Sequence, residues 1–338
     1  MRRFLALLLG ICILFCGCAG QKPEVYNTVY LNLFDTVTTV MGSASSREAF
    51  LLQANQIYNK LLYYHQLFDI YNSYEGIVNL KTVNDRAGIA PVVVDSAIIQ
   101  LMLDCKEYYT LTGGKVNAAM GNVLQLWHEA REQGLNNPDN AKLPDADALA
   151  LAAQHTDFDS VIIDEAASTV YICDPELSID VGAIAKGWAA QRVAEAAPEG
   201  MLISVGGNVC ATGAKLPDGT PWVVGIQNPD GSGNHLHTIR LSGGAVVTSG
   251  DYQRTYTVDG KAYHHIIDPA TQMPSEYWQS VTVICADSAL ADALSTALFL
   301  LPLAEGQTLA KQCSAEVFWL DKENNESCTD GFRTLLQE

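Results

Sequence analysis

The spacing of apolar positions in the first third of the chain predicts one strand followed by helices. β-branched residues are concentrated in 30–41, which predicts a strand, and the Ser-Ser-Arg-Glu sequence at 45–48 fits a capping box. Apolar residues then recur at helical spacing through 50–62. Asp95 is placed to cap a second helix, predicted for 97–110, which ends at a pair of glycines.

The middle of the chain has a mixed pattern. Further helices are predicted for 121–132 and 145–154, within a helical insert that spans about 115–155. Segments 160–163 and 169–173 are typical of a hairpin pair. The insert is therefore expected to pack beside the main body of the domain.

The C-terminal half is predicted to be rich in strands. Short β-branched runs alternate with glycine turns between 201 and 284, which is typical of a meander. A helix at 182–197 precedes the meander, and a helix at 287–301 and a strand at 317–320 follow it. The elements alternate without a strict βαβ rhythm, so the sequence predicts an α+β fold rather than a doubly wound sheet.

The N-terminus has the pattern of an export signal. Arg2 and Arg3 precede an apolar run at 4–15, which is too short to span a bilayer. The run ends in Cys-Gly-Cys, and a small residue before Cys18 resembles a bacterial lipobox. We expect a signal peptide at 1–17, a lipidated Cys18, a tether at 18–28 and a single domain at 29–338, anchored on the outer face of the cytoplasmic membrane or on its periplasmic side. Ordinary signal cleavage in the same region is the alternative.

The net charge and the cysteine spacing argue against some classes of ligand. The net charge of −18 argues against nucleic acid, whose phosphates need Lys and Arg to neutralise them. The cysteines after Cys18 lie far apart without a C-x-x-C pair, so the spacing for zinc or iron–sulfur binding is missing. An acidic protein that binds an anionic ligand must concentrate its few cations at the site or recruit a metal.

The segment 179–188 is a candidate phosphate site. Asp180 ends an apolar run, small residues follow, and Lys186 lies in the first turn of the predicted helix. Free backbone N–H groups and the positive end of a helix dipole favour phosphate. Close packing of this helix against a strand would require small residues as well, so both interpretations stand at this point.

Two glycine- and histidine-containing motifs follow. Segment 202–208 ends a strand in a double glycine, which permits a close backbone approach or simply a tight turn. His264 and His265 precede an Asp-Pro pair, and a histidine there is a candidate for proton transfer. Neighbouring residues on a strand point to opposite faces, so only one of the two histidines can enter a given site.

Asp292 and Thr296 form a candidate metal site. They are four residues apart and share one face of an otherwise apolar helix. A buried carboxylate is costly unless it is paired or bound to a metal. Carboxylate, hydroxyl and backbone carbonyl oxygens suit Mg²⁺, which leaves its other positions to water and substrate phosphates. A local cap or salt bridge is the alternative for Asp292.

Together these motifs resemble the ApbE family of FAD:protein FMN transferases. The resemblance runs from about Tyr30 to the C-terminus and is strongest in five stretches, namely DVGAIAKGWA, SVGGN, TSGDYxR, HxIDP and ADALSTALF. Their order and spacing are more specific than any one of them. The resemblance implies a single large ApbE-like domain with a meander-rich β core and packed helices.

The resemblance also implies roles for individual residues. Magnesium, or manganese in its place, would be held by the Ala183 carbonyl, Asp292 and Thr296. His265 would be the site histidine, and His265 or Asp180 would act as the base. The expected FAD contacts are Phe34, Tyr71, Lys115, Val116, Asn117, Asp180, Lys186 and Ile266.

Three departures from the family pattern concern the flavin pocket. The family's Met-Gly-Thr is replaced by Phe34-Asp35-Thr36. The acid of the family's Gly-x-Phe-Asp-Pro segment is replaced by Asn117, and the glycine that usually follows the threonine after HxIDP is replaced by Gln272.

The activity implied is Mg²⁺-dependent transfer of FMN from FAD to a threonine hydroxyl of an exported acceptor protein, with release of AMP. With water as the acceptor the same site would be an FAD pyrophosphatase. A non-catalytic lipoprotein that binds flavin or metal, or a structural surface lipoprotein, are alternatives from other classes.

Overall fold

The structure, a computed structural model, describes residues 23–337. The predicted signal peptide and Cys18 lie outside these residues. Residues 24–28, predicted as part of the tether, instead belong to the first strand, because Tyr26 and Tyr30 of this strand pack against the first helix. In residues 23–337 no helix combines the length and apolar character that a membrane crossing requires.

An eight-stranded antiparallel sheet forms the centre of the fold. Its strand order is β1-β2-β6-β7-β10-β13-β14-β15. The strands are β1 (Glu24–Leu33), β2 (Thr36–Ala44), β3 (Val92–Val93), β4 (Val161–Asp164), β5 (Thr169–Ile172), β6 (Met201–Val205), β7 (Asn208–Ala211), β8 (Trp222–Gln227), β9 (His235–Leu241), β10 (Gly244–Gly250), β11 (Tyr256–Val258), β12 (Lys261–Tyr263), β13 (Trp278–Cys285), β14 (Glu316–Asp321) and β15 (Glu326–Cys328).

Helices cover one face of this sheet, and a hairpin with the last helix covers much of the other. Helices α1, α6 and α7 pack on the first face, whereas β8, β9 and α9 enclose a second, smaller core on the opposite face. The helices are α1 (Arg47–Phe68), α2 (Leu80–Asn84), α3 (Ser96–Leu111), α4 (Gly121–Asn136), α5 (Ala146–Ala152), α6 (Ala185–Ala196), α7 (Ser288–Phe299), α8 (Leu303–Gln312) and α9 (Asp330–Leu335).

Local signals in the sequence place most of these elements correctly. The Ser46 and Asp95 side chains accept hydrogen bonds from the first turns of α1 and α3, as expected of helix caps. The predicted hairpin forms between β4 and β5. The α+β prediction is therefore confirmed, and with it most of the individual elements.

The prediction of a single strand over 30–41 is wrong. The chain turns back at Phe34 and Asp35, which have φ angles of +51° and +52°, so that β1 and β2 form a hairpin. Positive φ at both central residues is the backbone of a type I′ turn, which usually requires Gly, Asn or Asp. The Phe34 N–H is held by Nδ1 of His65 at 3.2 Å, a contact that the local sequence does not reveal.

The predicted insert builds a third core of its own. Helices α4 and α5 pack with the β11–β12 hairpin around Met120, Trp127, Leu149, Tyr256 and Ile267. This core stands beside the central sheet and forms one wall of the cavity described next.

Candidate active site

A cavity of about 730 Å³ lies between the central sheet, the start of α6, helix α7 and the insert. The residues predicted as site residues that line it are Tyr71, Lys115, Val116, Asn117, Asp180, Ala183, Lys186, His265, Ile266, Asp292 and Thr296. Chain segments far apart in sequence thus contribute to one site.

Among the predicted FAD contacts, Phe34 does not line this cavity. Its ring packs edge-on against His65 at 5.5 Å, next to the main core. The two residues that follow it, Asp35 and Thr36, line the cavity instead. The departure from the family pattern at this turn therefore puts a carboxylate, rather than an aromatic ring, at the cavity.

The predicted phosphate segment forms a turn before its helix begins. The Asp180 carboxylate accepts a hydrogen bond of 2.7 Å from the Gly182 N–H, and α6 starts at Ala185 rather than at residue 182. Lys186 donates a hydrogen bond of 3.0 Å to the Gly182 carbonyl. Desolvation raises the pKa of Asp180, while the Gly182 N–H and nearby cations oppose that rise.

Asp292 is almost completely buried, with 4% of its surface exposed. Its Oδ2 accepts hydrogen bonds from the Gly187 N–H at 2.8 Å and from the Asn208 amide at 3.3 Å. The Lys186 ammonium is 3.8 Å from the same oxygen. Burial raises the pKa of Asp292, and Lys186 and the Gly187 N–H act in the opposite direction.

The oxygens around Asp292 fit a divalent cation. Neither Oδ1 of Asp292 nor the Thr296 hydroxyl has a hydrogen-bond partner in residues 23–337, and both residues line the cavity with Ala183. Carboxylate, hydroxyl and carbonyl oxygens are the hard ligands that Mg²⁺ prefers. The described residues contain no group of three or more His, Cys, Asp or Glu side chains suited to a metal, so a cation here would depend on substrate and water for several of its ligands.

The two adjacent histidines have different surroundings. Both ring nitrogens of His264 are used, Nε2 with the Ser275 carbonyl at 2.8 Å and Nδ1 with the Ile266 N–H at 3.2 Å. In His265, Nδ1 lies 3.3 Å from the Gln253 carbonyl, and Nε2 has no hydrogen-bond partner among the described residues. Since a carbonyl can only accept, the proton is on Nδ1 and Nε2 is left as a base.

Protein surroundings keep His265 neutral. Desolvation, together with the positive charges of Arg254 and Lys186, lowers its pKa to about 3. The ring is nevertheless open to the cavity. His265 can therefore accept a proton, and an anion bound near the two cations would make it a stronger base.

Lys115 has a partner of its own. Its ammonium is 3.0 Å from both carboxylate oxygens of Asp268, the acid of the HxIDP motif. Lys115 still lines the cavity, so a ligand would meet an ion pair at this point rather than a free cation.

The side-chain amide of Asn117 both accepts and donates a hydrogen bond. Its Oδ1 accepts from the Ala119 N–H at 2.9 Å, while its Nδ2 donates to the Thr156 carbonyl at 2.8 Å. An aspartate could accept the first bond but could not donate the second. The amide therefore ties the floor of the cavity to the end of the insert.

The structure adds cavity residues that sequence reasoning did not single out. Asn208 and Arg254 are the last residues of SVGGN and TSGDYxR, so a signal for them was present in the motifs. His128 packs against the Tyr71 ring at 5.5 Å. It lies on α4, where the sequence offers no distinguishing pattern.

Comparison with known proteins identifies the family of this chain. The sequence profile of the ApbE family matches residues 34–319. A FAD:protein FMN transferase of Treponema pallidum is 34% identical over 251 residues, which cover 69% of this chain and 67% of that protein. One from Klebsiella pneumoniae is 31% identical over 260 residues, covering 73% and 78%.

Solved structures show the same fold. The ApbE protein of Thermotoga maritima superposes with a TM-score of 0.82 at 28% identity, covering 93% of this chain and all of that one. The flavin transferase ApbE of Vibrio cholerae has the same fold, with a TM-score of 0.76 at 22% identity and the same coverage. With its α+β fold and with the family's motifs gathered around one cavity, the chain belongs to the ApbE family.

Proposed function

We propose that this protein transfers the FMN part of FAD to a threonine hydroxyl of an acceptor protein and releases AMP. The main support is that one cavity joins a histidine with a free Nε2, His265, to the buried Asp292 and to Thr296. Relatives at 34% and 31% identity are FAD:protein FMN transferases, which supports flavin transfer as the class of reaction.

The surroundings of the cavity suit the two kinds of chemistry in FAD. Tyr71, backed by His128, and Ile266 offer apolar and aromatic surface for a ring system. Lys186 and the N–H groups at the start of α6 suit the diphosphate. Burial raises the pKa of Tyr71 to about 12, so this ring stays neutral beside a ligand.

The proposed step is a displacement at phosphorus. The threonine oxygen attacks the phosphorus of the FMN half, a new P–O bond forms, and the bond from that phosphorus to the bridging oxygen breaks. AMP leaves with the bridging oxygen and its electron pair. His265 Nε2 takes the threonine proton, and Lys186 stabilises the charge on the leaving phosphate.

Asp292, Thr296 and the Ala183 carbonyl would hold the divalent cation. When bound, Mg²⁺ would neutralise diphosphate charge, the contribution on which phosphoryl transfer mainly depends together with positioning. The protein prepares this site by fixing Asp292 through Gly187 and Asn208.

We also propose that the chain is an exported lipoprotein with Cys18 as its lipidated residue and one catalytic domain. The Cys-Gly-Cys sequence after a short apolar run supports this. Radiolabelled palmitate should be incorporated into the wild-type chain and lost in Cys18→Ser. Equal labelling of both would show that Cys18 is not the lipid site.

The proposed reaction is tested by incubating the full-length protein with FAD and Mg²⁺, with and without a flavin-carrying acceptor domain, and measuring AMP by chromatography. We expect AMP together with covalent flavin on the acceptor. AMP and free FMN regardless of acceptor would instead show an FAD pyrophosphatase. Binding of FAD without AMP would show a flavin-binding protein.

A further inference from the structure

Cationic side chains that line the cavity differ in whether they already have partners. Most of them are engaged: Lys115 with Asp268 at 3.0 Å, Arg131 with Glu132 at 2.9 Å, and Lys186 with the Gly182 carbonyl at 3.0 Å. Arg254 also lines the cavity, but within residues 23–337 it forms neither an ion pair nor a hydrogen bond. Its side chain is exposed to the cavity and free to bind an anion.

The backbone at Arg254 is in an unusual conformation. Its φ is +47°, a left-handed value that is uncommon for a residue other than Gly, Asn or Asp. The Gln253 carbonyl that precedes it accepts from Nδ1 of His265 at 3.3 Å. One strained turn between β10 and β11 thus fixes the His265 tautomer and brings Arg254 to the same cavity. Strain of this kind is concentrated at functional sites.

The charge of Arg254 reaches both candidate bases. It contributes to lowering the pKa of His265, and it opposes the desolvation that raises the pKa of Asp180. Arg254 forms no salt bridge with Asp180, although that carboxylate is a cavity neighbour. Arg254 directly follows Gln253, whose carbonyl accepts from His265, so the Arg254 backbone lies next to that ring, and the guanidinium forms no hydrogen bond within residues 23–337.

The location of Arg254 in the cavity suits the proposed displacement at phosphorus. A base that takes the proton of the attacking hydroxyl lies next to the phosphorus under attack. A guanidinium that lines the same cavity, on the turn that binds this base, is placed to bind the equatorial oxygens of the same phosphoryl group. Those oxygens carry the charge in the transition state, and arginine binds them with two parallel N–H groups.

We infer that Arg254 is a catalytic residue that binds the non-bridging oxygens of the phosphoryl group being transferred. Lys186 acts on the other phosphate, and a cation held by Asp292 would neutralise charge on the diphosphate as a whole. The inference rests on the proposed transferase function. Arg254 is not among the residues predicted to bind the metal or FAD.

The test compares three variants of the full-length protein. Arg254→Gly removes the guanidinium and suits the left-handed backbone, so the turn is not strained further. Arg254→Lys keeps the charge and loses the paired donors. Arg240→Gln is the matched control, because Arg240 is exposed on β9, outside the cavity.

Turnover is measured as AMP released from FAD with Mg²⁺ and an acceptor domain, and cation binding is measured separately with Mn²⁺ by electron paramagnetic resonance. We expect kcat of Arg254→Gly to fall by about 100- to 1000-fold, the usual effect of removing one transition-state donor. Its Mn²⁺ affinity should equal that of the wild type, and its KM for FAD should change far less than kcat. Guanidinium ion added at millimolar concentration should restore part of the lost rate in Arg254→Gly and have no such effect on the wild type. The kcat of Arg254→Lys should lie between those of the wild type and Arg254→Gly, and the kcat of Arg240→Gln should equal that of the wild type.

Several outcomes would overturn the inference. If wild-type protein releases AMP and Arg254→Gly does so at the same kcat, Arg254 is not catalytic, while the proposed function stands. A raised KM with unchanged kcat would make Arg254 a residue that binds FAD in the ground state only. Loss of rate together with loss of Mn²⁺ binding, without rescue by guanidinium, would indicate a structural role. No AMP from the wild type would overturn the proposed function and this inference together.

Discussion

The Gly187 N–H donates a hydrogen bond of 2.8 Å to Oδ2 of Asp292, although the two residues are 105 positions apart. This bond joins the first turn of α6, which we propose as the phosphate site, to the carboxylate of α7, which we propose as the metal ligand. It requires the two helices to approach each other closely, and a glycine makes that approach possible.

We predict that Gly187→Ala destabilises the protein and weakens cation binding. A Cβ at this position would overlap the Ser288 carbonyl oxygen and the Cβ of Asp292. Overpacking of this kind costs about 1–3 kcal/mol, and it would also displace Asp292. Urea denaturation and Mn²⁺ titration measure the two effects. Gly306→Ala is the control, because it lies in α8, where a Cβ would come no closer than 3.4 Å to its neighbours. Equal stability of the two variants would contradict the close approach of α6 and α7.

We predict that Asp292→Asn separates stability from function. Because burial raises the pKa of Asp292 above its ordinary value of 3.8, its charge opposes folding of the metal-free protein increasingly as the pH rises above that value. The amide removes this charge, so the metal-free variant should melt at the same temperature as the wild type or higher at pH 7.5. It should also lose Mg²⁺-induced thermal stabilisation and AMP release.

Differential scanning fluorimetry with and without Mg²⁺ measures these effects. Asp139→Asn, at an exposed residue of the insert, is the matched control and should keep the wild-type response to Mg²⁺. A Mg²⁺ response that persists in Asp292→Asn would remove Asp292 from the metal site.

We predict that the fall in rate at low pH that is caused by protonation of His265 occurs at a higher pH when FAD is bound. This fall is the acid limb of the pH–rate profile. In the free protein the pKa is lowered to about 3, so His265 is neutral and able to accept a proton at any higher pH. The diphosphate should offset the charges of Arg254 and Lys186 and raise this pKa in the complex. The limb should therefore appear at a higher pH in kcat, which reports the complex, than in kcat/KM, which reports the free protein.

The variant His265→Gln tests whether the acid limb of the pH–rate profile is due to this histidine. The variant should lower kcat by about 100- to 10,000-fold, the usual contribution of a general base, and should lose the limb, while FAD affinity measured by flavin fluorescence changes little. Loss of FAD binding with a normal kcat at saturation would make His265 a binding residue instead.

We predict that Asn117→Asp destabilises the protein, even though the family pattern has an acid there. The change leaves the Thr156 carbonyl without its donor at 2.8 Å and places a negative charge beside it. The expected loss is about 1–3 kcal/mol in the free energy of unfolding measured with urea. Asn140→Asp, at an exposed turn where the side-chain amide donates to Asn137, should change the free energy of unfolding by less than about 0.5 kcal/mol. A similar small effect at Asn117 would show that the link to Thr156 contributes little.

The sequence by itself determined the elements that depend on neighbouring residues. Asp95 caps its helix as predicted, and Ser46, one residue after the serine that the capping box would use, caps α1, because capping is a bond between a side chain and backbone two or three residues away. The motif segments were recognised for the same reason, since each places its side chains on one turn or one helix face.

Tertiary structure alone decided how those segments meet. The turn at Phe34 requires His65, and the engagement of Lys115 requires Asp268, 153 residues away. Partners at such distances are selected by strand register and by burial against the core, which local spacing does not encode. For the same reason the sequence pointed to Asp292 and His265, whereas the turn between β10 and β11, which brings Arg254 into the same cavity and binds His265 through Gln253, depended on tertiary packing.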